Sequence, residues 1–188
     1  PAFTLLELLI VMGVSAFLMG LGVLGLLSFQ AEVDLQNSYS DIISNLKVLQ
    51  NKARNSSSIF DASTQDYKLP DIYALEISDN GQRSYYCFYE GVGVKNISCF
   101  FASELLDINN KSSNVIASIS GCNGDVIGFE RLDGKFLAIN SENNSANSFT
   151  SSSFSLTGQC QISLKHNQIQ FAQQKNIFID ITKSSINL

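Results

Sequence analysis

Few residues of this chain could do chemistry by type, and fewer still by spacing. His166 is the one histidine. It stands beside Asn167 in an expected turn and reads as a solvated loop residue. Glu90, Glu104 and Asp107 show no paired arrangement for acid/base work, which needs two carboxylates converging on one substrate. No Gly-x-Ser-x-Gly, phosphate loop or metal-ligand spacing occurs. Gly91-Val92-Gly93-Val94 is a turn after a strand. Asn55, Asn96, Asn110 and Asn143 begin N-x-S/T patterns, which a chain rich in Asn and Ser produces by chance. The expectation is a protein that is not an enzyme and needs no metal or cofactor.

Cys87, Cys99, Cys122 and Cys160 all fall in the polar part of the chain. They form no CxxC pair and have no neighbouring His, which disfavours zinc. Disulfides in an oxidising compartment are the better reading, with buried free thiols the alternative. Cys87–Cys99 and Cys122–Cys160 are the favoured pairs, because neighbours in sequence meet most easily. The chain-entropy relation values such loops at about 3 and about 4 kcal/mol.

The remaining chemical group is a carboxylate in an unusual place. Leu8 to Ala31 carries no charge, and as a helix it spans about 36 Å, enough to cross a hydrocarbon core of about 30 Å. It runs straight into a polar helix pattern without a small-residue cleavage site, so it reads as retained rather than as a secretory signal. Glu32, Asp34 and Asp41 follow, with no Lys or Arg before Lys47, which puts the C-terminal side outside by the positive-inside rule. The missing basic residues on the inner side point to a processed precursor. Glu7 sits one turn inside the apolar start, where an unpaired carboxylate costs roughly 2.5 kcal/mol if central and less near the interface. An amino terminus, most usefully that of a neighbouring copy, would offset it; snorkelling to headgroups is the other reading.

The string Phe3-Thr4-Leu5-Leu6-Glu7-Leu8-Leu9-Ile10-Val11 with its apolar continuation resembles the class III signal region of type IV pilins and type II secretion pseudopilins. The resemblance covers about the first 30 residues. It implies cleavage by a prepilin peptidase just before Phe3, methylation of the new amino group, and pairing of Glu7 with the amino terminus of an adjacent subunit during assembly. It also implies an assembly ATPase and a platform protein as partners. Phe3 is preceded by Pro1-Ala2, whereas the family usually has Gly there. Either cleavage falls between Ala2 and Phe3, or the mature chain begins at Pro1, whose secondary amine and two-residue offset would alter the reach to Glu7.

The elements that position these groups follow from periodicity. Gly20, Gly22 and Gly25 crowd one stretch of the apolar helix, each costing roughly 1 kcal/mol relative to Ala. Lipid enforces backbone hydrogen bonding, but a protein filament can tolerate local melting around Met19 to Gly25; close helix packing through small residues is the alternative. Past Ala31 one stripe remains, Leu35, Tyr39, Ile42, Leu46, Leu49 and Ala53, spaced for burial on a sheet. The helix is expected from Leu5 to Arg54.

Strands are expected at Ile72–Ser78 and Arg83–Tyr89 around an Asn80-Gly81 turn, and at Val126–Leu132 and Lys135–Ile139 around Asp133-Gly134. Further strands are expected at Phe154–Leu156, Cys160–Leu164, Gln168–Phe171 and Ile177–Ile181. Segments 107–114 and 140–153 read as loops. Tyr85, Tyr86, Phe88 and Tyr89 place aromatics on both strand faces, for core and subunit contact.

The fold class is therefore α+β: a long helix with its apolar half protruding and its polar half packed on an antiparallel sheet. Residues 1–31 form the membrane or filament-core segment, and 32–188 a headgroup made of helix 32–55 plus a β-rich domain. Net charge is −5, and the 12 Lys and Arg are dispersed, which gives no strong nucleic-acid signal. The resemblance implies a pilin fold and a subunit anchored in the inner membrane, then polymerised with itself into an extracellular pilus serving adhesion, motility or DNA uptake. A pseudopilin of a secretion or competence machine is one alternative, and a membrane-anchored binding module of another class is the second.

Overall fold

The computed structural model describes residues 4–61, 65–78, 81–90, 96–102, 115–122, 124–145, 148–167, 174–183 and 185–187. Helix α1, Leu5–Arg54, is unbroken along its length. Ser and Asn follow it directly, and the left-handed Ser56 ends the run at φ 47°. Its stripe is buried as the spacing requires: Leu35, Ile42, Leu46, Leu49 and Ala53 are all inaccessible, with Tyr39 partly buried and Ile43 added at the edge.

Among the described residues, fourteen strands follow. β1 (Ile59–Asp61) and β2 (Asp66–Lys68) make a small hairpin. β3 (Ile72–Ser78), β4 (Gly81–Glu90) and β5 (Asn96–Phe101) form an antiparallel meander, and β6 (Val115–Ser120) leaves for a second sheet. β7 (Val126–Glu130) and β8 (Phe136–Ile139) join β3 from the other side. β9 (Glu142–Ser145), β10 (Ser148–Ser151) and β11 (Phe154–Ser155) complete the large sheet. β12 (Gln159–His166), β13 (Lys175–Asp180) and β14 (Ser185–Asn187) pair with β6 in a four-stranded sheet.

The large sheet, in the order β11-β8-β7-β3-β4-β5-β10-β9, curls closed. β10 pairs with β5 near one end, and β11 pairs with β8 at the other. Only Ser152 and Ser153 separate those two strands, so a single strap joins the two ends. Period-two alternation then sorts side chains into an inside and an outside. Ile72, Ala74, Tyr85, Cys87, Ile97, Cys99, Val126, Leu137, Ile139 and Phe149 fill the interior. Gly128 is packed tightly there: a Cβ would lie 2.5 Å from Leu137 Cδ1 and 2.9 Å from Ile72 Cγ2, so those side chains would have to move.

The outer face of β3, β7 and β8 (Tyr73, Leu75, Ile77, Ile127, Phe129, Phe136 and Ala138) meets the helix stripe. The helix is covered in turn by Ile162, Leu164, Ile177 and Ile179 of the four-stranded sheet. The helix is thus the middle layer between barrel and sheet. Its upper end is tied in by Leu132 N–H donating to Ala53 O at 3.1 Å and Gln50 Nε2 donating to Gly134 O at 3.1 Å.

Two expectations need correction. Segment 140–153 is not a plain loop: it holds β9 and β10, because Phe149 belongs inside the barrel and the strap must close it. His166 is not a solvated turn residue: it ends β12, 7% exposed, turned toward the helix. Segments 107–114 and 168–171 lie outside the described residues.

Candidate functional site

The head leaves half of its longest element unused. From Leu5 to Phe29 the described large apolar side chains stay open to the surroundings, including Leu5 at 82%, Phe17 at 67% and Met19 at 72% exposed. Ala31 at 1% marks where the head begins. Among the described residues this is the one helix long and apolar enough to cross a membrane, and none of that stretch is buried within the chain. Apolar surface on all sides needs lipid or other protein around it, since water would penalise it at about 25 cal/mol per Å².

The N-terminus of this rod is finished by a capping box. Glu7 N–H donates to Thr4 Oγ1 at 3.3 Å, and Thr4 N–H donates back to Glu7 Oε2 at 3.1 Å. The Thr4 hydroxyl donates to the same Oε2 at 3.0 Å. The helix start leaves orphan N–H groups that lipid cannot satisfy, and Thr-x-x-Glu supplies two reciprocal partners. Both bonds from Thr4 converge on one carboxylate oxygen. The Thr4-x-x-Glu7 spacing ahead of an apolar run is itself the sequence sign of this box. Pro1 and Phe3 lie outside the described residues.

Gly20, Gly22 and Gly25 lie within unbroken helix. A Cβ at Gly13, Gly20 or Gly25 would meet nothing within 4 Å among the described residues. Packing inside this chain therefore gives no reason for glycine at those three positions.

The head shows where the other candidates lie. Cys87–Cys99 bridges residues directly opposite each other on β4 and β5, inside the barrel. Cys122–Cys160 ties the turn after β6 to β12 beneath the helix. Glu90 accepts from Ser98 Oγ at 2.5 Å, while Glu104 and Asp107 lie outside the described residues. His166 Nε2 is 3.9 Å from Asp34 Oδ2, too far for a hydrogen bond. Among the described residues no group of three or more His, Cys, Asp or Glu side chains is placed to hold a metal ion. Of the aromatic set, Tyr85 faces the barrel interior, edge-on to Phe149 at 5.0 Å. Tyr86 stacks on Phe100 at 5.7 Å outside it.

No protein-family model matches this chain, and neither the curated proteins nor the solved structures supply a match.

Proposed function

We propose that this chain is a type IV pilin, held in the inner membrane by its apolar helix and then polymerised with copies of itself into an extracellular filament. The observation that carries the reading is the division of one continuous helix into a buried half and a bare apolar half, with a lone carboxylate capped at the bare end. As a cap on the helix start, Glu7 would serve any membrane anchor. A subunit that must extract from lipid and align with a neighbour has a further use for it, because a carboxylate in a low-dielectric place selects the one position where a cation meets it. The two bonds from Thr4 both go to Oε2, and the neighbour's amino terminus, at Phe3 or Pro1, is the expected partner of the carboxylate. The role is structural rather than enzymatic. Processing by a prepilin peptidase and insertion by an assembly ATPase and platform protein belong to the same reading.

The test is a Glu7→Ala strain. The protein should remain at wild-type level in the membrane fraction while filaments in sheared surface material disappear. Unchanged filament number would overturn the proposal. Loss from the surface with a short periplasmic fibre in wild-type cells would favour the pseudopilin reading instead.

A further inference from the structure

The rod is held to the head in two different ways. Above Tyr39 it is clamped between barrel and four-stranded sheet by Ile42, Ile43, Leu46, Leu49 and Ala53, all buried. Below, Ala31 and Leu35 are the buried apolar residues, and polar contacts supply the rest. Lys175, at the start of β13, places Nζ 3.1 Å from Glu32 Oε1 and donates to Gln36 Oε1. The same ammonium lies 6.0 Å from the centroid of the Tyr39 ring. Glu32, Gln36 and Tyr39 share one face at helical spacing, so one cation spans two turns. Beside it the buried His166 of β12 faces Asp34 at 3.9 Å.

We propose that Glu32 and Lys175, with Asp34 and the His166 ring beside them, form an electrostatic latch. It holds the lowest docked turns of the rod, residues 31–39, on the four-stranded sheet and releases them when the Glu32–Lys175 pair is screened or reversed, leaving the upper helix docked. The proposal concerns the single chain and does not depend on filament formation. Release is local because the latch is reachable by solvent: the Glu32 side chain is 48% and that of Lys175 25% exposed. Exposed pairs are worth little and fade with salt, whereas the buried stripe above does not respond to ions. Such a segment opens at a lower free energy than the whole fold.

The charged groups facing one another are Glu32 and Asp34 from α1 and Lys175 from β13, with the imidazole of His166 from β12 beside Asp34. Lys165 alternates to the opposite, exposed face of β12. The function of such a latch is to fix the angle between apolar rod and head at the one place where it can change without breaking either core.

The experiment is hydrogen exchange on the full chain in detergent micelles, with residues 42–53 and β3 as internal references. Raising salt from about 20 mM to about 500 mM, which shortens the screening length severalfold, should speed exchange at residues 35–39 and leave the references unchanged. Lys175→Glu at low salt should speed the same amides roughly two- to fivefold, the size expected for a partly exposed pair. Combining it with Glu32→Lys should restore protection, which a merely structural lysine would not allow. Three results would overturn the latch: no response of residues 35–39 to salt or to Lys175→Glu, equal acceleration of the references, or a double variant no better than the single.

Discussion

At the scale of single residues, two glycine positions separate packing from its absence. Gly128 faces the barrel interior, where an added Cβ would stand 3.0 Å from Ile139 Cδ1 and closer to Leu137 and Ile72. Gly128→Ala should therefore cost about 1–3 kcal/mol by overpacking, read as a lower denaturant midpoint and a weakened near-ultraviolet signal from the neighbouring aromatics. Gly13→Ala meets nothing within 4 Å among the described residues and should leave that midpoint unchanged. Equal effects would refute the assignment of Gly128 to the interior.

The tyrosines give a second residue-scale expectation. Burial pushes the Tyr73 phenol up to about 12, with Arg131 pulling it partly back. Burial, then the hydrogen bond to Glu76 and its charge, pushes Tyr85 up to about 12. A phenol that stays protonated in the fold but ionises near 10 when unfolded contributes stability that is whole below that value. That stability is lost as pH rises toward 12. Phenolate absorbance from these rings should appear only as the far-ultraviolet dichroism collapses, and Tyr85→Phe should flatten the alkaline limb. Full ionisation with the fold intact would contradict their burial.

At the scale of elements, what could be read from the sequence divides by the range of the interactions involved. The helix limits, its buried stripe, the β3–β4 and β7–β8 hairpins and the Cys87–Cys99 pair rest on local periodicity or near neighbours and were legible, and Cys122–Cys160 followed from pairing the cysteines in chain order. The β10 half of the strap was not legible, although β11 falls on the strand expected at Phe154–Leu156. Its Ser and Asn content argues for a loop, and only the vacancy between β5 and β8 makes Phe149 a core residue. His166 was misplaced for the same reason: its burial depends on a helix far away in sequence. The second disulfide tests how much the four-stranded sheet relies on such long-range ties. Cys122 and Cys160 are 38 residues apart, so Cys122→Ser should cost about 2–5 kcal/mol through the freed loop. Loss of protection should centre on β6 and β12 while the barrel, with its own Cys87–Cys99 bridge, keeps its exchange pattern. Uniform loss would mean that barrel and sheet unfold as one unit.

At the scale of the whole molecule, the bare half of the rod sets the last expectation. In the isolated chain α1 runs unbroken through Gly20, Gly22 and Gly25, a state suited to lipid, where every open amide is costly. Together the three lower helix preference by about 3 kcal/mol relative to alanines, and for Gly20 and Gly25 no contact among the described residues accounts for the choice. Glycine also widens the backbone conformations available once the helix opens. If the chain assembles as proposed, neighbouring rods replace lipid and can satisfy freed backbone groups. The rod should then lose regular hydrogen bonding somewhere between Met19 and Gly25 while both flanks stay helical. An extended residue advances about 3.3 Å against 1.5 Å in a helix, so about six melted residues lengthen the rod by about 11 Å. The disulfide-tied head would be carried outward intact, which lets a filament stretch under load without unfolding its subunits. A filament map at side-chain resolution decides the matter. Continuous helix from Leu5 to Arg54 would refute the expectation, and a break near Gly13 would show that glycine density is the wrong guide.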